Sequence, residues 1–141
     1  MGSIHTEKMA VVAANGMGKL GVKITDLITG ALNDESTKKP LIAFEYYPPK
    51  TSGGVNTLYK RADNQRRQQP LYIDVTWGAG GSTSDLTLEL CCELKKKGLE
   101  PNMHLTCTNM VTEKIRKGLE GAKEAGIRNI VALRGGTLLH F

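Results

Sequence analysis

No stretch of the sequence approaches the ~18 consecutive apolar residues of a membrane-spanning helix. Its opening, MGSIHTEKMAVVAANGMG, lacks a long apolar segment followed by a cleavage site, so neither secretion nor a membrane partner is expected. Cysteine is scarce. There are three, an odd number, with Cys91 and Cys92 adjacent, Cys107 apart and no CxxC. That spacing offers neither a disulfide framework nor a metal ligand set, and it suits buried or half-buried free thiols in a reducing cytoplasm. Aromatics are only 5% and are not interleaved with the basic runs, so the positive charge does not by itself argue for nucleic acid. No strand-like segment is followed by G-x-G-x-x-G or a Walker A loop, which weakens a dinucleotide-binding doubly wound fold.

The chain has 141 residues, 40% apolar and 23% charged, enough for one domain with a sizeable core. Lys and Arg number 19 against 14 Asp and Glu, a net charge of +5 that suits anionic ligands such as phosphates. The densest basic runs, Arg66-Arg67 and Lys95-Lys96-Lys97, read as solvated helix faces.

Residues 1–18 read as a flexible leader and 19–141 as the folded part. Leu20, Ile24, Leu27, Ile28, Ala31 and Leu32 trace one helical face, and Pro40 ends the polar linker after it. Four short apolar runs then read as strands: Leu41–Tyr47, Leu71–Thr76, Met103–Cys107 and Asn129–Arg134. Helical spacing fills the gaps, through Val55, Leu58, Tyr59 and Ala62, through Leu86, Leu90 and Leu94, and through Val111, Ile115, Leu119 and Ala122. The capping run Ser82-Thr83-Ser84-Asp85 opens the second of these, and Gly98 and Gly126 close the second and third. Strand starts recur about every 30 residues, the length of one βα unit. The expectation is an α/β fold with a parallel sheet and right-handed crossovers, its strands covered on both faces. A doubly wound sheet and part of a (β/α)8 barrel both answer to that pattern.

In either architecture ligands bind at the carboxyl ends of the strands. Those ends carry Glu45 with Pro48-Pro49-Lys50, the loop Thr76-Trp77-Gly78-Ala79-Gly80-Gly81-Ser82-Thr83, His104 with Thr106, and Arg134-Gly135-Gly136. Glu45 is either an outward charge or, inside Phe-Glu-Tyr-Tyr, a desolvated carboxyl able to donate a proton near neutrality. The glycine loop is either a plain turn or a set of free N–H groups for an anion. His104 is a satisfied core histidine or a ligand contact, and Arg134 caps a carbonyl or grips a phosphate. Asp74, mid-strand, reads as structural and needs a hydrogen-bonding partner if buried.

Four motifs are more specific: FEYYPPKT from Phe44, DVTWGAGGST from Asp74, MHLTCTNM from Met103 and ALRG from Ala132. In order and spacing, over roughly residues 41–135, the chain resembles methylenetetrahydrofolate reductase, in its eukaryotic form. The resemblance implies the first half of a (β/α)8 TIM barrel with FAD at its carboxyl face. It implies hydride passing from NAD(P)H through flavin to 5,10-methylenetetrahydrofolate, giving 5-methyltetrahydrofolate for methionine metabolism. Glu45 matches the acid that protonates the folate and opens its five-membered ring. Glu45, Tyr46, Tyr47, Pro48, Pro49 and Lys50 match the segment contacting the nicotinamide nucleotide. Thr76 and Trp77 match a site shared by flavin and dinucleotide, and His104, Leu133, Arg134 and Gly135 match FAD contacts.

Two departures stand out. Gly136 occupies the position where the family has an Asp beside flavin and folate, and Thr137–Phe141 lacks the Pro-rich continuation. A truncated chain is expected, with open edges that favour a homo-oligomer or aggregation and weak FAD binding. The alternative to an enzyme is an inactive fragment that at most associates with another subunit.

Overall fold

The computed structural model describes residues 21–34 and 40–134; the leader assigned to 1–18, and Gly135 and Gly136, lie outside the described residues. In chain order the elements are α1 (Ile24–Leu32), β1 (Ala43–Tyr46), α2 (Ser52–Gln65), β2 (Tyr72–Val75), α3 (Ser84–Lys96), β3 (Pro101–Thr106), α4 (Thr112–Glu124) and β4 (Asn129–Leu133). The strands form one parallel sheet in the order β1-β2-β3-β4. Consecutive order is the arrangement of successive units in a (β/α)8 barrel, and it lacks the reversal that defines a doubly wound sheet.

The units end alike. Gly98 (φ 79°) follows α3, with Leu99 N–H donating to the Leu94 carbonyl at 3.1 Å and Gly98 N–H to that of Lys95 at 2.9 Å. Gly126 (φ 70°) follows α4 with the same pair of bonds, Ile127 to Ala122 at 2.8 Å and Gly126 to Lys123 at 3.0 Å. This double closure satisfies carbonyls the helix leaves open, and the positive φ is one that glycine adopts without penalty. In both cases the next side chain, Leu99 or Ile127, is buried and turns the chain into the following strand.

Side chains alternate along a strand, and parallel register puts paired residues on one face. Phe44, Tyr46, Ile73, Val75, Met103 and Leu105 therefore share the face covered by the helices, where Leu58, Ala62, Leu90, Cys91, Leu94 and Ala122 complete the core. Fully burying a side chain such as Ile73 or Leu90 stabilises the fold by about 1.5–3 kcal/mol. The opposite face carries Glu45, Asp74, Asn102, His104 and Thr106, most of them half-buried or exposed. Coverage on both faces, expected from the apolar runs, is thus corrected: among the described residues one face is helix-packed and the other is polar.

Three smaller expectations also change. Leu119 and Val111 are exposed, and α4 instead turns Ile115, Gly118 and Ala122 inward. The lysine run is not a uniform solvated face, since Lys97 Nζ reaches Asp63 at 2.9 Å and lies 5.8 Å from the Tyr59 ring centre, while Lys95 pairs with Glu100 at 3.4 Å. Cys91 and Cys92 are buried and half-buried as expected, but Cys107 is exposed.

The start of α1 is held by a residue from β4. Asn129 Oδ1 accepts from Ile24 N–H at 2.9 Å, and its Nδ2 donates to the Val22 carbonyl at 2.8 Å and to Glu100 Oε1 at 3.0 Å. Burial pushes the Glu100 carboxyl above its ordinary range, opposed by Lys95, the Val22 backbone and Asn129. A carboxyl raised on folding binds protons more tightly when folded. Its stabilising contribution is therefore complete below the unfolded pKa and is lost as pH rises through the folded one. The stability of the wild type relative to Glu100→Gln should accordingly fall as pH climbs above 4.5, the ordinary value. Urea unfolding across that range checks the slope, and a difference that rises with pH would refute it.

Candidate functional site

Glu45, Asp74 and Asn102 form one row across β1, β2 and β3, each in register with the next. Asp74 Oδ1 accepts from Asn102 Nδ2 at 2.7 Å and meets His104 Nε2 at 3.0 Å, so the partners Asp74 needs both come from β3. Neither Asn102 nor this pairing was read from the sequence; the signal was there in the equal parity of Asn102 and His104, two residues apart on one strand. Glu45 and His104 consequently share one face, bridged by Asp74. Glu45 is exposed. The desolvation expected from Phe-Glu-Tyr-Tyr does not occur here, because Phe44 and Tyr46 point into the helix layer and leave the carboxyl on the open side.

The other residues of the first motif divide the same way. Tyr46 is buried and its hydroxyl donates to Gln65 Oε1, whereas Tyr47 is 71% exposed and Lys50 is exposed. Burial holds the Tyr46 phenol above its ordinary range. Pro48 and Pro49 are half-buried where the chain leaves β1. Pro49 packs against Gly54, near the start of α2, where Thr51 Oγ1 accepts from Gly54 N–H at 3.1 Å.

The glycine loop after β2 is internally bonded. Gly78 N–H donates to Thr83 Oγ1 at 2.8 Å, Thr83 Oγ1 lies 3.2 Å from Thr87 Oγ1, and the Thr87 hydroxyl donates to the Thr76 carbonyl at 2.9 Å. Gly81 and Ser82 N–H groups bond the carbonyls of Gly78 and Ala79, and Lys114 Nζ donates to the Gly81 carbonyl at 2.7 Å. Of the two readings of the loop, the plain turn fits these bonds, since the N–H groups of Gly78, Gly81 and Ser82 are taken within it. The expected side-chain cap is corrected: none caps α3, because the Thr83 hydroxyl turns back to the loop.

Trp77 is 7% exposed, with its indole against Gly118 of α4, and its Nε1 is buried with no hydrogen-bond partner among the described residues. Its side chain belongs to the helix layer, so only its backbone lies toward the strand ends. Thr76 is half-buried and its N–H donates to the Tyr46 carbonyl at 3.0 Å, tying β2 to the end of β1. Leu133 ends β4 in register with Thr106, 36% exposed, and Arg134 beyond it is exposed.

The family model for methylenetetrahydrofolate reductase matches residues 30–140, beyond the four motifs at both ends. The chain belongs to the methylenetetrahydrofolate reductase family. It is 47% identical over 115 residues to methylenetetrahydrofolate reductase (NADH) 1 of Zea mays, covering 81% of this chain and 19% of that one. It is 44% identical over 116 residues to methylenetetrahydrofolate reductase 1 of Schizosaccharomyces pombe, again 81% and 19%. Against 5,10-methylenetetrahydrofolate reductase of Pectobacterium carotovorum it is 38% identical over 95 residues, 67% of this chain and 32% of that one. The chain thus spans about a fifth of the length of its plant and fission-yeast relatives.

A Cβ built on Gly118 would lie 2.8 Å from Cη2 of the Trp77 ring, a rigid neighbour. Gly118→Ala should cost about 1–3 kcal/mol in urea unfolding. Gly53→Ala, on α2 with nothing within 4 Å, should be neutral or stabilise by up to about 1 kcal/mol. Equal effects at both positions would show that Trp77 does not set the spacing of α4.

Proposed function

We propose that this chain supplies the acid and part of the flavin-binding face of a methylenetetrahydrofolate reductase that uses FAD and NADH. The observation that carries the reading is the placement of Glu45, Asp74 and His104 on one open polar face at neighbouring strand positions. The plant relatives are named for NADH. The donor set suits a flavin: His104 offers a hydrogen-bonding group on a rigid strand, and Arg134 and Lys50 are exposed cations near strand ends, suited to phosphates. Bound FAD would supply the hydride carrier between nicotinamide and folate.

The chain's own residues then have these parts. Glu45 projects from β1 without a cover of its own, so a folate stacked on that face meets its carboxyl directly. Proton donation by Glu45 to the folate opens the five-membered ring to the reducible iminium, and general acid catalysis of this kind contributes about 10²–10⁴-fold. Pro48 and Pro49 fix the backbone direction after β1 and keep Tyr47 and Lys50 at the rim for the dinucleotide. The backbone of Thr76-Trp77 borders the same rim. Gly135 and Gly136 fall outside the described residues, and glycine at 136 removes the family's carboxylate from this reading.

A second reading has in its favour the outer edges of β1 and β4, which pair with no strand among the described residues: a polypeptide that does not turn over and associates at most with another subunit. FAD titration separates the two. Saturable quenching of flavin fluorescence, weakened by Arg134→Ala and unchanged in Glu45→Gln, is expected of a flavin face. In a chain completed with the remaining length of the maize relative, Glu45→Gln should keep bleaching by NADH and lose about 10²–10⁴-fold in folate reduction. No saturable quenching by the wild type would leave the second reading.

A further inference from the structure

We propose that Asp74 is a positioning residue: it holds the His104 ring by Nε2–H and so leaves Nδ1 as a free acceptor for a donor group of the bound flavin. The ligand half of this inference rests on the flavin reading above. The ligand group is identified by chemistry, as a hydroxyl or N–H of the ribityl–isoalloxazine part rather than a phosphate oxygen.

The geometry leads there in steps. An ionised carboxylate only accepts, so the proton shared between Asp74 Oδ1 and His104 Nε2, 3.0 Å apart, sits on the imidazole. A neutral ring protonated at Nε2 has its lone pair on Nδ1. No group among the described residues is paired with that nitrogen. Asn102 Nδ2 donates to the same Oδ1 at 2.7 Å and keeps the carboxylate in place. The His104 and Asp74 side chains are 17% and 21% exposed, enclosed enough to be ordered and open enough to be reached. All three residues stand on strands, and Asp74 and Asn102 are in register, so the backbone ladder itself fixes their separation. Glu45 is the other titratable group of this row, in register with Asp74 on its far side. A phosphate oxygen carries no proton to offer and would face a lone pair; a ribityl hydroxyl or a flavin ring N–H would not.

Two measurements test it. The chain has three histidines, His5, His104 and His140, so imidazole-labelled protein gives few resonances and His104→Gln assigns the relevant one. At about pH 8, above the ordinary imidazole range, one ring N–H proton should be protected from exchange. It should vanish in Asp74→Ala and persist in Asp74→Asn, whose amide oxygen still accepts. Asp74→Ser, too short to reach Nε2, replaces Asp74→Ala should that variant not fold. A proton absent from the wild type, or one surviving in Asp74→Ala or Asp74→Ser, overturns the pairing. Riboflavin, which has no phosphate, is the second probe. Asp74→Ala and His104→Ala should each weaken it about tenfold, the scale of one hydrogen bond between neutral groups, and the double variant no further than His104→Ala alone. Multiplying losses overturn the positioning role, and a loss seen with FAD but not riboflavin overturns the ligand class. A wild type that binds neither flavin refutes the flavin reading, while the exchange experiment still decides the Asp74–His104 pairing.

Discussion

Parallel register across β1, β2 and β3 is the constraint on which the site depends. It sets Glu45 beside Asp74 and Asp74 beside Asn102, with no loop between any of them. A slip of one residue in any strand would send that strand's polar residues into the helix layer and its core residues outward, exchanging Ile73 and Val75 for Asp74. Burial of Ile73, Val75 and Met103 behind α2, α3 and α4 therefore secures the chemistry of the opposite face indirectly. The apolar side of the sheet is what holds the polar side in alignment.

The loop after β2 shows the same economy with hydroxyls. Thr76, Thr83 and Thr87 link the strand end, the glycine turn and the first turn of α3 through consecutive hydrogen bonds. Lys114 closes the turn from the side of α4. A segment that contains three glycines between Gly78 and Gly81 is in this way given a single shape, and the backbone of Thr76-Trp77 inherits its position from it.

Much of this was legible beforehand. The βα period, the strand limits to within a residue or two and the helix-ending roles of Gly98 and Gly126 follow from spacing and from what positive φ requires. That one face would lie open follows from a half barrel; its polar character was not read, because Leu41–Tyr47 and Asn129–Arg134 look continuously apolar until alternation is imposed on them. For Glu45 the same alternation decides the matter: its sequence neighbours are aromatic, but they lie on the other side of the sheet. Trp77 was assigned by motif to a rim, and only tertiary packing on Gly118 shows where its ring goes. Asn129 and Thr87 gave no local signal at all, since a hydrogen bond across 105 or 11 residues has no spacing to detect.

The Asn129 clasp has a consequence for how the molecule assembles. One amide side chain on the last described strand receives the N–H that opens α1, the first described helix, and binds Glu100 as well. α1 buries no residue fully, and among the described residues this clasp and the Gly21–Gly126 backbone bond tie its start to the fold. Closing so long a loop is entropically costly until β4 is seated on β3. The clasp that holds the start of the first helix is complete only when Asn129 is in place on β4, paired with β3.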